Sequence, residues 1–418
     1  MSSTNTEITP KYKSSVKRLD PKHTKIATII TFFMIPLSGL VTDVYAPSMP
    51  QMALDFKQPA AAIQLTLTLF LISFALVQFV AGSIMDSFGR YRITMVALVA
   101  FIASNIVIAQ ATTIEVIYAM RILQGIAVGC IGVSKRSFFV DVYDGAKRKH
   151  YLSIMSIVWS SAPIIAPFLG GYLQHYLNWQ ACFYFLAGYA TLMLILELKY
   201  SGETVPEHRP FKRAAIRRDY GIMLRTPMFV YGVICSGLCY GTIMIFNLSG
   251  AFIVEQKLGF SPVVAGYTSL AMGVAWLCGG FLGKLFIQKP FIPKLRIASW
   301  FGILVIGAMI ATATWWENLY SLILFAFLIH VGVGFIFNNY FAYCLGRFPQ
   351  MAGISGGLIG GSAYFITSLS SYAVVGLAHP ESQSTLALCY LSLALVIFVI
   401  IQFLIQPERE QGSISKAL

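Results

Sequence analysis

Apolar runs of about twenty residues recur along the whole 418-residue chain, separated by short polar breaks. That is the length a helix needs to cross the hydrocarbon core of a bilayer. A backbone in lipid has to satisfy its own hydrogen bonds, so runs of this length are read as helices. Composition agrees. Hydrophobic residues make up 57% of the chain and charged residues 11%, where a soluble domain has roughly a quarter charged, and mean hydropathy is +0.72. A membrane β-barrel would show short alternating segments instead. The expected fold class is an all-α polytopic membrane protein.

Breaks between the runs give about twelve spans, near 24–50, 61–83, 93–111, 115–141, 151–175 and 180–199, then 227–254, 262–287, 296–314, 318–345, 352–378 and 384–406. The long polar segment between the two sets divides the chain. The expected organisation is a basic tail (1–23), a six-helix bundle (24–200), a connecting loop (201–226), a second six-helix bundle (227–406) and a short tail (407–418). Twenty-five Lys and Arg fall on the tail-and-loop side of the spans, against Lys57 and Lys257 on the opposite tips. This asymmetry predicts both termini in the cytoplasm. It also accounts for the net charge of +13 through attraction to an anionic leaflet, with no need for nucleic acid. The tail lacks the pattern of a removable signal peptide. All seven cysteines lie in apolar runs, and Cys235 and Cys239, at helical spacing, have no His or acid beside them in sequence. Packing, not metal binding, is expected for them.

Several polar residues stand out against this background. Asp43 lies in "IPLSGLVTDVYAPSMP", apolar at first and then interrupted by Pro47 and Pro50. It reads either as a functional acid or as a helix-end aspartate near the outer interface. The hairpin "GSIMDSFGRYR" carries Gly82, Asp86, Gly89, Arg90 and Arg92. There Gly82 would allow close helix approach, Gly89 a tight turn, and Asp86 an ion pair or a contact with a helix amino-terminus. The fourth span contains Arg121 and Gln124. A guanidinium inside a bilayer is costly unless it faces a partner or a wet cavity, although backbone carbonyls would also hold it. Lys135, Arg136 and Asp141, nearer the inner end, read as a charge network or as snorkelling side chains with a local ion pair. Pro163, Pro167, Gly170 and Gly171 in "SAPIIAPFLGGYL" suit a bent helix packed closely on a neighbour, as do Gly353, Gly357 and Gly361 in the eleventh span. His330 is the histidine deepest in a span, read either as a titrating group or as a hydrogen-bonded core residue.

These motifs resemble those of a known family. "GSIMDSFGRYR" resembles the loop signature of the major facilitator superfamily, "RILQG" the fourth-span signature of its drug:proton antiporters, and "APIIAPFLGGYL" their fifth-span signature. "TDVYAPSMPQMA" with "DVYDG" is most similar to the Bcr/CflA group of bacterial drug exporters. The chain departs from the pattern at Ser83, Ile84 and Met85, at Tyr91 between the two arginines, and at Val140 before Asp141. The resemblance implies two six-helix bundles rocking about a midplane cavity lined by spans one, four, seven and ten. Asp43, Tyr45, Arg121, Gln124, Tyr240, Asn247, His330, Asn338 and Asn339 are then the cavity candidates.

Counted along ideal helices, Asp43 and Arg121 lie roughly 30 Å above the inner ends of antiparallel spans. This predicts Asp43 as the exchangeable proton site, with Arg121 governing its charge. The function that the resemblance implies is a proton-coupled antiporter exporting drug-like molecules across a bacterial cytoplasmic membrane. The alternative is a dedicated exporter of an anionic metabolite, such as a siderophore or metallophore, favoured if Lys135 or Arg136 faces the cavity. A sensor or scaffold has no extramembrane domain to support it. No nucleotide-binding loop, catalytic triad or metal-ligand cluster is evident in the sequence, so no enzyme activity and no cofactor are expected, only a proton gradient. Protons, a small-molecule substrate and membrane lipid are the expected partners of a monomer.

Overall fold

The computed structural model describes residues 17–205, 213–348 and 352–404. Expectations for the remaining parts of the two tails and the central loop, and for the side chain of Pro163, lie outside the described residues. Span one is assembled from three pieces, α1 (Thr24–Met34), α2 (Leu37–Asp43) and α3 (Met49–Asp55). Spans two to six are α4 (Ala60–Phe88), α5 (Arg90–Ala109), α6 (Ile114–Val142), α7 (Gly145–Tyr176) and α8 (Trp179–Tyr200). A short helix, α9 (Arg213–Leu224), lies in the connecting segment. Spans seven to twelve are α10 (Pro227–Phe252), α11 (Pro262–Leu285), α12 (Phe291–Thr312), α13 (Leu319–Arg347), α14 (Ala352–Ala378) and α15 (Gln383–Val399). Eleven of the segments are long and apolar enough to cross a membrane, and α7 is a twelfth long helix of 32 residues.

Proline chemistry explains the three-piece first span. Pro36 has no N–H to continue the ladder of α1 and caps α2 instead. Pro47 falls in a 3₁₀ turn, Ala46–Ser48, and Pro50 in the first turn of α3, where a missing N–H costs nothing. The span therefore reaches Asp55, beyond its expected end at 50, and Asp43 closes the short α2. Span two also runs further than expected. Its helix continues to Phe88, and the hairpin reduces to Gly89 alone, at φ 93°.

Glycines mark where helices meet, and not always where the sequence suggests. A Cβ added at Gly82 would find nothing within 4 Å, so the close approach expected there is not made. On α6, a Cβ at Gly125 would fall 1.9 Å from the Ser73 hydroxyl and 2.4 Å from the Phe70 carbonyl of α4. On α7, one at Gly170 would meet the Val44 carbonyl of span one at 1.6 Å, and one at Gly171 the Pro262 carbonyl of α11 at 2.6 Å.

The two bundles meet along α7 with α11 and along α4 with α14. Towards the end that the charge asymmetry assigns to the outer side, a convention kept below, Pro167 abuts Gly266, and the Tyr172 and Tyr267 hydroxyls are 3.1 Å apart. Midway, the Ser368 hydroxyl donates to the Thr68 carbonyl at 3.1 Å. Further in, Gly361 and Gly357 sit against the Ala75 and Gln78 carbonyls. A methyl group has no space at Gly170, so Gly170→Ala is expected to destabilise the fold by roughly 1–3 kcal/mol. Gly82→Ala, which enters open space, is expected to leave the thermal midpoint of the purified protein unchanged.

Candidate functional site

The feature that joins the two halves at depth is a carboxyl group. Asp43, 1% exposed, ends α2 and points across the bundle interface. Its Oδ1 accepts a hydrogen bond from the Asn247 side-chain nitrogen of α10 at 2.8 Å. Its Oδ2 is buried and without a hydrogen-bond partner. At the next residue of α10, the Leu248 carbonyl accepts a hydrogen bond from the Gln64 side chain of α4 at 2.8 Å. The Ala46–Ser48 turn packs on α10 and α11. Together these contacts close the outer side of the interface. Beneath them lies a narrow crevice lined from both halves, by Ser38, Thr42, Phe70 and Phe74 on one side and Tyr240 and Tyr364 on the other. Tyr364 makes edge contacts with Phe74 (4.9 Å between centroids) and with Tyr240 (5.4 Å).

Arg121 is not the partner of Asp43 in this structure. Its guanidinium turns into the first-half bundle, where it donates to Gln124 Oε1 at 2.8 Å and to the Val41 and Thr66 carbonyls at 3.5 and 3.4 Å. It lies over the Tyr45 ring at 4.3 Å and near the Phe70 ring at 4.9 Å. Contact with Val41 bears on the expected depth, only two residues from Asp43. The azimuth is what differs, because consecutive residues on a helix point about 100° apart and Asp43 faces the other half. The backbone-carbonyl reading of Arg121 describes what is seen. Tyr45 and Gln124 are fully buried around it, as packing and hydrogen-bonding partners of the arginine and not as a cavity wall.

Other candidates separate. Tyr240 lines the interface crevice and Asn247 holds the acid. His330 does not reach the interface. Its Nδ1 meets the Ala326 carbonyl at 2.7 Å, and its ring packs edge-on to Phe246 and Tyr390 inside the second bundle. Asn338 and Asn339 bond back to the Gly334 and Phe335 carbonyls and press on Gly280 and Gly283 of α11. They serve a helix contact within one bundle. Pro167, Gly170 and Gly171 of α7 lie against α11 and span one, as the packing reading required.

The charged residues near the inner end of α6 also divide. Lys135 is buried and donates to Glu197 of α8 at 2.6 Å. Arg136 donates to Gln78 of α4 and to the Gly132 carbonyl. Asp141 pairs with Arg90, which also holds Asp86 at 2.8 Å. Neither snorkelling nor a local pair within the span describes Lys135. Glu197 escaped the sequence reading because it stands three residues from the end of its helix, where an acid ordinarily meets water.

Glu203 was missed as well. Just past α8, its carboxylate accepts the Arg90 and Tyr91 amides that open α5, at 3.2 and 3.1 Å, and the Thr204 and Val205 amides at 3.0 Å. An anion at a helix amino-terminus satisfies otherwise orphaned donors. The Thr204 hydroxyl donates to Asp141, and the Lys17 and Glu203 backbones pair alongside. The post-span loop, the amino-terminal tail and the Gly89 turn thus form one inner clasp. Arg92 is exposed at its edge.

A polytopic helical protein whose halves meet at a buried acid has the architecture of a two-bundle membrane transporter. The chain belongs to the Major Facilitator Superfamily, whose family model matches residues 31–372. It is 25% identical over 387 residues to multidrug resistance protein D of Escherichia coli, covering 88% of this chain and 95% of that protein. It is 25% identical over 363 residues to a bicyclomycin resistance protein homolog of Haemophilus influenzae, covering 84% and 89%. These relatives agree with the resemblance to the Bcr/CflA group. Among solved structures, a D-xylose–proton symporter superimposes with a TM-score of 0.72 at 15% identity, covering 92% of this chain and 98% of its own. That similarity shows the fold, two six-helix bundles.

Removing one member of a buried ion pair leaves an uncompensated charge and typically costs about 3–5 kcal/mol, whereas replacing both with apolar residues is close to neutral. Glu197→Gln is therefore expected to lower the thermal midpoint markedly. Lys135→Met combined with Glu197→Leu is expected to restore it.

Proposed function

We propose that this transporter is a proton-driven antiporter that exports drug-like molecules across a bacterial cytoplasmic membrane, with Asp43 as its proton site. The observation that supports this reading is the Asp43 carboxyl group, sealed between the halves with one oxygen on Asn247 and the other unpartnered. Sealing an ionised carboxylate away from water without a cation costs several kcal/mol, while sealing the neutral acid costs far less. The position at the end of α2 adds to the penalty, since the carboxy-terminal end of a helix disfavours negative charge.

The mechanism follows from that difference. With Asp43 protonated, Asn247 donates to its carbonyl oxygen and the outer side stays closed. Loss of the proton towards the cytoplasmic side leaves a charge that the closed interface cannot hold. Opening to the outside then hydrates the carboxylate, carries substrate outward and lets the acid take up a proton. Protonation permits closure again. Arg121 keeps the first-half bundle rigid behind the acid and needs no direct ion pair for this cycle.

Drug-like substrates fit the aromatic character of the interface crevice, where Phe70, Phe74, Tyr240 and Tyr364 converge, and the printed names of the multidrug resistance relatives support this substrate class. The anionic-metabolite alternative loses support. Of the α6 cations that motivated it, Lys135 is neutralised by Glu197 and Arg121 is buried on carbonyls within the first-half bundle, while Arg136 hydrogen-bonds to the neutral Gln78. A monomer in contact with lipid, both termini cytoplasmic and no cofactor beyond the proton gradient complete the reading, which describes a transporter and not an enzyme.

Asp43→Asn keeps the hydrogen-bonding shape and removes the titration. In proteoliposomes it is expected to reduce transport driven by an imposed pH gradient at least tenfold while preserving gradient-independent substrate exchange. Unchanged gradient-driven uptake would remove Asp43 from the coupling role.

A further inference from the structure

The second-half bundle carries a groove outside the transport path. Leu282 and Phe286 of α11, Ile297 and Phe301 of α12, and Val331 and Phe335 of α13 line a cavity of about 540 Å³ at the inner end of these helices. Its flanks project outward from the bundle: Phe281, Leu285 and Ile287 on one side and Ile297 on the other are 65–72% exposed. This is a lipid-facing opening of the size that holds a small ligand. Two cations, Lys289 and Lys294, stand in its wall. The Lys294 ammonium is held at 3.3 Å from the Phe286 carbonyl.

Charge balance identifies the occupant. From 227 to 404 the chain has three acids, Glu255, Glu317 and Glu381, each at or beside a tip on the outer side of the bundle. Over those residues the inner side has Lys284, Lys289, Lys294, Arg296 and Arg347 and no carboxylate, while Glu408 and Glu410 follow beyond the described residues. The first-half bundle differs, since there Asp86, Asp141, Glu197 and Glu203 engage the inner cations and amides. An apolar slot open to the bilayer, with uncompensated cations at the headgroup end, complements one kind of molecule.

We infer that this groove binds an anionic phospholipid of the cytoplasmic leaflet, one acyl chain lying between α11, α12 and α13 and the phosphate between Lys289 and Lys294. Burial of the acyl chain favours occupancy, but in a bilayer that gain is common to all lipids. Selectivity therefore comes from the two cations, which attract an anionic headgroup.

Native mass spectrometry of the full chain, purified in detergent and incubated with phosphatidylglycerol or phosphatidylethanolamine, tests the inference. The unsubstituted protein is expected to retain phosphatidylglycerol at least fivefold better. The double variant Lys289→Gln, Lys294→Gln is expected to lose that preference, and Lys289→Arg with Lys294→Arg to keep it. Val331→Trp, which fills the groove and leaves both cations in place, is expected to lower retention. Equal retention of the two lipids, or a preference unaffected by the glutamine pair or by groove filling, would overturn the inference. This readout requires no transport, so it stands or falls apart from the role of Asp43.

Discussion

A carboxyl group that is sealed between two halves of a protein, without a cation, constrains everything built around it. Charge at Asp43 is costly while the interface around it is closed, and in the function we propose the protonation state of this one residue selects between arrangements of the bundles. The rest of the first span serves that constraint. Pro36 and Pro47 divide the helix so that Asp43 closes α2, and Gly170 lets α7 approach the Val44 carbonyl beside it. Asn247 comes from the opposite half, which makes the hydrogen bond sensitive to any relative movement.

The inner side is held differently. Where the outer contact is a single buried carboxyl group, the inner clasp uses paired ions and capped amides: Arg90 between Asp86 and Asp141, and Glu203 over the first amides of α5. Those contacts tie spans two, three and four and the connecting loop into one body. The first-half bundle can then move as a rigid unit, with the buried Arg121 and the Lys135–Glu197 pair inside it. The alternating access we propose rests on such rigid halves and on the Asp43 contact between them.

Much of the architecture was legible in the sequence because membrane burial imposes length and charge patterns that survive any packing detail. Twelve spans followed from run length, and Asp43 stood out through the cost of a charge in lipid. The partners did not follow. Depth along a helix is countable, so Arg121 was placed near the level of Asp43, but its rotation depends on neighbours that only the packed structure supplies. Asn247 entered as one cavity candidate among several and gained its role when α10 was brought against α2. Glu197 and Glu203 were hidden by their positions at a helix end and in a loop, where acids are ordinary. His330, Asn338 and Asn339 were overvalued because a polar residue on a predicted cavity helix has an inner face and an outer face, and these three turn away from the interface.

The central claim is that protonation of Asp43 controls closure of the outer interface. Its most direct test is a distance between the halves, measured by electron–electron resonance with spin labels at Lys57 and Lys257, the outer tips of spans one and seven, in a background lacking the native cysteines. The account requires a short, narrow distribution at acidic pH that broadens to longer distances as pH rises, and an Asp43→Asn protein that keeps the short distribution at every pH. A pH-dependent opening that persists in Asp43→Asn would contradict it.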